Sequence, residues 1–439
     1  YTLQTNAPLR DNQPANPRAI PEIAGQPVVR TGNDMFDALY ALAIEESREC
    51  SVDSISNFAF NQGQPIPCEP GGCFETGRLW TYVWTRDTAY AVALGLGQVD
   101  PTRSKNSLAF KTSTRRDGTR LEIVQDTGTG GSWPVSTDRV VWAIGAWDVL
   151  KYLDGAERTA FRDLAYEAIK NTAQHDRAVA WDPADGLYRG EQSFLDWREQ
   201  TYPGWTATDP VQIGMSKALG TNIGHLRMLE IGAALATEKG DSATSATLSS
   251  WADDLRDAIR TELYLPDAGL YSTYKTTALD PSPVERFDLL GTAFAVLYGV
   301  ADANEAMGLL STYPQLPKGP AVVWPQQQDT PIYHNRGIWP FVTAFWLQAA
   351  AKAGHDAAAD HAIKSLVRGA AINLSNMENF EAVTGEAWLD DGPASGPVVN
   401  SQRQLWSVAG YIGMVQDVVF GLDASQTGIR FLPRISAST

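Results

Sequence analysis

Residues 221–240 read TNIGHLRMLEIGAALATEKG, and residues 245–264 read SATLSSWADDLRDAIRTELY. The first segment is rich in Ala and Gly and apolar nearly all round. The second is amphipathic, with charges gathered on one side. A helix without a polar face belongs inside, and one with a polar face belongs against solvent. Two such helices in succession describe a hairpin with one inner and one outer arm. The same alternation recurs in both directions along the chain. Helical spacing also marks NDMFDALYALAIEES, RDTAYAVALGLGQ, STDRVVWAIGAWDVLKYLD, ERTAFRDLAYEAIKNTAQHD, RFDLLGTAFAVLYG, IWPFVTAFWLQAAAKAG, DAAADHAIKSLVRGAAIN and RQLWSVAGYIGMVQDVVFG. Ten to twelve helices are expected, whereas strand signals are confined to pieces such as GLYST and RFLP. Two concentric layers of helices predict an all-α toroid of helical hairpins, with long loops forming a pocket at one end. A solenoid of helix pairs is the alternative, and it would lack long loops decorated on one side only.

A chain of 439 residues can bury a large core. Residues 1–32 are rich in Pro and Asn and read as an extended N-terminal arm; residues 33–439 read as one domain. The net charge of −16 argues against nucleic-acid or anionic-membrane partners, and no apolar run is long enough to span a bilayer. Fourteen Trp and fifteen Tyr offer flat faces with polar edges, which suit sugar rings. Cys50, Cys68 and Cys73 predict one disulfide and one free thiol, with the pairing open; three reduced thiols are the alternative. The first residue, Tyr1, and this cysteine usage suggest an exported, periplasmic or extracellular, product.

The unusual residues lie in the loops before the inner helices. PGGCFETGRLWTYVWTRDTAYAV carries Trp84, Arg86 and Asp87; GTGGSWPVSTDRVVWAI carries Trp133 and Asp138; QQQDTPIYHNRGIWPFVTAF carries His334 and Trp339. An Asp at a helix start is ordinarily an N-cap, yet an Arg–Asp pair between aromatics also grips hydroxyls. Asp196 stands between Leu195 and Trp197, followed by Arg198, in SFLDWRE. A carboxyl among bulky apolar groups has a raised pKa, as a general acid needs, although a surface Asp196–Arg198 pair fits the spacing equally. A second acidic cluster, Glu378, Glu381 and Glu386, lies in NMENFEAVTGEAW, before a helix that carries Gln404 and Trp406. Mutual repulsion there would favour a mildly acidic working pH. Two carboxyls on separate aromatic-bordered loops meet the requirement of glycoside hydrolysis, and no Ser/His/Asp triad, phosphate loop or zinc motif competes.

PGGCFETGRLWTYVWTRD, SFLDWR, YHNRGIWPF and MENFEAVTGEA with QLWSVAGY resemble the marks of the six-hairpin (α/α)6 glycosidases. Within them the resemblance is to the clan of processing α-glucosidase I and its bacterial relatives (glycoside hydrolase family 63) and the trehalases. It spans roughly residues 70 to 420. It implies an inverting, exo-acting α-glycosidase of α-glucosidase type, with Asp196 as general acid and Glu378 as general base. It also implies that Arg86 and Asp87 bind the terminal sugar, that Trp84, Asp138, His334 and Trp406 line the pocket, and that Trp133, Trp197, Arg198, Trp339, Glu386 and Gln404 complete it. No metal or other cofactor is expected, and a carbohydrate is the expected partner. Two departures stand out. The acid lies in FLDWRE, so Glu191 and Glu199 are rival acids, and Ala387 replaces the glycine after the second Glu. A sugar epimerase or isomerase working through histidine, a polysaccharide lyase, and a non-catalytic sugar-binding protein are the other classes such a toroid accommodates.

Overall fold

The structure is a computed structural model that describes residues 1–10, 13–125, 138–192, 194–195, 197–277 and 279–434. Twelve helices build a double ring. In chain order they are α1 (Asp34–Glu49), α2 (Thr85–Ala91), α3 (Pro101–Ala109), α4 (Trp142–Val149), α5 (Gly155–Val179), α6 (Leu219–Glu238), α7 (Ser242–Leu263), α8 (Leu289–Leu297), α9 (Ala303–Thr312), α10 (Pro340–Ala353), α11 (Asp356–Asn373) and α12 (Leu405–Gly413). Even-numbered helices form the inner ring. Each packs on the next, α2 on α4 and so on to α12, and α12 closes back onto α2. Odd-numbered helices lie outside, with α1 against α12.

Composition explains the layers. Every residue of α2 and of α12 is buried. On α7 burial is confined to a stripe of Leu248, Ala252, Leu255, Ile259 and Leu263, which seats it on α6. Small residues let inner helices approach closely: a Cβ on Gly145 of α4 would stand 2.8 Å from the Ala89 carbonyl oxygen of α2. α2 runs on through a π turn, Val92–Leu96, where Gly95 takes a φ of 151° that side chains rarely adopt.

Two outer helices escape the apolar pattern, α3 and α9. Both are short and start on explicit caps. Asp100 accepts from the Arg103 amide before Pro101, and Asp302 with Glu305 forms a capping box. The strands are two to four residues long and pair as small antiparallel ladders, such as Gly337–Ile338 with Phe380–Glu381. Before α1, Thr2–Leu3 pairs with Arg18–Ala19. Cys68 and Cys73 form a disulfide and Cys50 is a buried free thiol, so the expected split of the cysteines holds. Among the described residues no helix is long and apolar enough to cross a membrane.

Candidate active site

The N-terminal ends of α2, α4, α10 and α12 share one end of the ring. Arg86 and Asp87 occupy the first turn of α2 and are buried. Arg86 Nη1 donates to Asp138 Oδ2 at 3.2 Å; Asp138 opens the 3₁₀ turn Asp138–Val141 that leads into α4. Arg86 Nε stands 3.9 Å from Asp87 Oδ2. From the far end of the chain, Gln404 Nε2 donates to Asp87 Oδ1 at 3.0 Å. The Arg86 guanidinium lies 5.6 Å over the ring of Trp406, which stacks on Phe341 at 4.0 Å. Four predicted site residues thus form a single buried polar chain, Asp138–Arg86–Asp87–Gln404, backed by Trp406.

Glu378 is 4% exposed and sits between α11 and α12. Its Oε2 accepts from the Ser401 amide at 3.1 Å and from Trp80 Nε1 at 3.4 Å, and its own amide donates to the Ser401 carbonyl at 2.8 Å. The side chain is held in place by the loop that brings the chain into α12. The neighbouring acids differ. Glu381 is fully buried, and its Oε2 accepts from the amides of Val383 and Thr384 at 2.8 and 2.6 Å, which folds its own turn. Glu386 is half-buried, and its carbonyl accepts from the Glu381 amide.

Aromatic side chains continue the wall. His334 is buried, its ring 5.1 Å from Trp339, 4.7 Å from Tyr333 and 5.9 Å from Phe194. Trp339 lies 6.0 Å from Trp406, and Trp197 reaches the same group through Tyr333 at 5.2 Å. Arg198 is turned inward, its Nε donating to Glu191 Oε2 at 2.7 Å, whereas Glu199 is exposed. Glu191, a rival acid in the sequence, is buried and ion-paired to Arg198. Trp84 is half-buried against Phe60 and Tyr82. Asp196 and Trp133 lie outside the described residues. Trp84 Nε1, Trp406 Nε1 and Gln404 Oε1 are buried and have no hydrogen-bond partner among the described residues. Groups of this kind are free to bond hydroxyls of a ligand, although buried atoms elsewhere in the ring, such as Trp346 Nε1 and Tyr411 Oη, share the property.

Sequence reasoning passed over several residues that shape this end. Gln200 Oε1 accepts from the amides of both His334 and Asn335 at 2.8 Å, fixing the turn beneath the aromatic wall. Asp288 caps α8, accepting from the Gly291 amide at 2.6 Å and Thr273 Oγ1 at 2.8 Å. Burial nevertheless pushes its carboxyl up to about 6. The one sequence signal was an Asp inside an apolar run, RFDLLGTAF. Among the described residues no three His, Cys, Asp or Glu side chains are grouped to hold a metal ion.

No family model matches the chain, and no curated protein matches it in sequence. Solved structures do match. A GH63 mannosylglycerate hydrolase from Thermus thermophilus superposes with a TM-score of 0.60 over 86% of this chain and 100% of its own, at 15% identity. The fold is that of the six-hairpin glycosidases. A GH78 rhamnosidase of Bacillus sp. GL1 matches 93% of this chain and 38% of its own, with a TM-score of 0.62 at 17% identity. Neutral trehalase from Saccharomyces cerevisiae matches 83% of this chain and 76% of its own, with a TM-score of 0.55 at 13% identity. The expected all-α toroid holds.

Proposed function

We propose that this chain is a glycosidase, an inverting exo-acting α-glycosidase of α-glucosidase type acting on an oligosaccharide or glycoconjugate. The observation that carries this reading is Glu378, a buried carboxylate held by Trp80 and Ser401 in a loop whose Asn376 carbonyl accepts from the Gln404 amide, Gln404 in turn joining the buried chain of Asp87, Arg86 and Asp138. In this reading Glu378 is the general base that deprotonates a water, and Asp196 is the general acid that protonates the leaving oxygen. The buried polar chain binds hydroxyls of the terminal sugar, while Trp406, Trp339 and Trp84 supply apolar faces, and Trp406 and Trp84 also supply unused N–H groups. Enclosure of His334 among three aromatic rings makes it a wall residue, which counts against histidine-based epimerisation.

The test is hydrolysis of α- and β-linked disaccharides and aryl glycosides, with the released anomer followed by proton NMR. An α-linked substrate giving the β-anomer supports the reading, and Glu378→Gln and Asp196→Asn should each lower turnover by roughly 10²–10⁴-fold while the sugar still binds. Release of the α-anomer would overturn the inverting assignment. Sugar binding without turnover across the panel would point to a binding protein.

A further inference from the structure

A carboxylate buried in a helix wall is costly unless every oxygen is satisfied. Glu46 is such a group: it lies on α1 and its side chain is wholly buried. None of its four hydrogen bonds goes to its own helix. Oε1 accepts from Ser375 Oγ at 2.5 Å and from Arg18 Nη1 at 2.7 Å; Oε2 accepts from the Asn376 amide at 2.9 Å and Asn376 Nδ2 at 2.8 Å. Three of these donors sit two and three positions before Glu378. The fourth comes from the N-terminal segment.

The other limb of the same loop is tied to these residues. Ser375 Oγ accepts from the Arg403 amide at 3.0 Å, and the Asn376 carbonyl accepts from the Gln404 amide at 2.9 Å. Gln404 then reaches Asp87. Arg18 Nη1 also donates to the Leu374 carbonyl at 2.7 Å. Leu374 and Arg403 have φ of 52° and 42°, a left-handed conformation that costs a non-glycine residue about 1 kcal/mol or more and needs support from its surroundings. Both stand where the loop leaves α11 and enters α12, and both are pinned by this network. The N-terminal segment touches the loop again through Arg10, whose Nη1 donates to the Pro397 carbonyl at 2.6 Å and whose guanidinium lies 5.1 Å over Trp388.

We propose that Arg18 and Glu46 are positioning residues that fix the Glu378 loop, which makes the N-terminal segment part of the working site. The proposal rests on Glu378 acting as general base. Neither residue touches a substrate; both act on turnover through the backbone at residues 374–376 and 401–404. Displacement of a reacting group by about 1 Å costs on the order of 10²-fold in rate, so loss of this clamp appears in kcat.

The test uses the full chain with Arg18→Gln, Arg18→Lys and Glu46→Gln, reading kcat and KM separately and backbone amide hydrogen exchange alongside. Arg18→Gln is expected to lower kcat about 10- to 100-fold with KM within about threefold, and Arg18→Lys to regain part of it by restoring the contact to Glu46. The amides of Asn376, Glu378 and Gln404 should exchange at least about tenfold faster in Arg18→Gln, while those of α8 stay as in the parent. Arg18→Gln keeps the test decisive if Glu46→Gln does not fold. Unchanged kcat, or unchanged exchange at those amides, overturns the proposal. If the parent hydrolyses nothing, the hydrolase reading fails on its own, and amide exchange still decides whether Arg18 holds the loop.

Discussion

Gln404 Nε2 donates to Asp87 Oδ1 across 3.0 Å, although 317 positions separate the two residues. The bond joins the first turn of α2 to the residue that starts α12, both fully enclosed. A hydrogen bond to a charged group contributes about 1.5–3 kcal/mol. Under the proposed reading, in which Asp87 binds the terminal sugar, loss of this orienting bond in Gln404→Ala should raise KM for a hydrolysed glycoside by roughly tenfold or more while helical content is kept. A parent-like KM would remove Gln404 and Asp87 from the substrate pocket.

Asp288 gives a pH-dependent stability term of defined sign. Its ordinary carboxyl value of 3.8 is raised to about 6 in the folded chain. The native state therefore holds the proton more tightly than the unfolded state does. The resulting stability is complete below about 4 and is lost as pH rises through about 6. Asp288→Asn retains an acceptor for the Gly291 amide and removes the buried charge. The stability difference, variant minus parent, should climb by about 1–3 kcal/mol between pH 4 and pH 7 in urea denaturation. A difference that stays flat across that range would refute the assignment.

Thiol chemistry should report the cysteine arrangement directly. Burial pushes the Cys50 thiol up to about 12, and Cys68 and Cys73 are joined. A thiol held protonated and out of solvent is a poor nucleophile. The native chain should leave an aromatic disulfide reagent unreacted, the unfolded chain should titrate Cys50 alone, and reduction should release all three cysteines of the sequence. Rapid labelling of the native chain would contradict a buried Cys50.

Gly145 measures how tightly the inner ring is drawn. Its substitution by Ala places a methyl 2.8 Å from the Ala89 carbonyl oxygen, on backbone that has little room to move. Gly145→Ala should cost about 1–3 kcal/mol despite the better helix propensity of Ala. Equal or higher stability in urea would mean that α2 and α4 can separate freely.

Most of the architecture was legible because layering leaves a mark on composition. α6 and α7 differ in how much of their circumference is apolar, and that contrast, repeated, outlines the ring. α3 and α9 were harder, since both are short; their clues were caps, Asp100–Pro101 and Asp302 with Glu305. Arg86, Asp87, Asp138, Gln404 and Trp406 converge because each begins an inner helix or the turn into one, a position the aromatic-rich loops advertise. Arg18, Glu46 and Gln200 were not legible as site residues. Their partners lie hundreds of positions away or on loop backbone, which no local pattern encodes. The clue at Glu46 was an acid among the buried positions of α1.

Closure of α12 onto α2 also sets an order of events during synthesis. The wall that α2 presents to α12 stays uncovered until about 317 further residues have been added. At roughly 5–20 residues per second this takes about 15 to 60 s, during which an apolar helix face has no native neighbour on that side. A ring that seals on a late helix leaves the nascent chain with an exposed apolar face, the kind of surface on which unfinished chains associate. Its yield in a cell should then depend on how fast the residues leading to α12 arrive as well as on the stability of the closed ring.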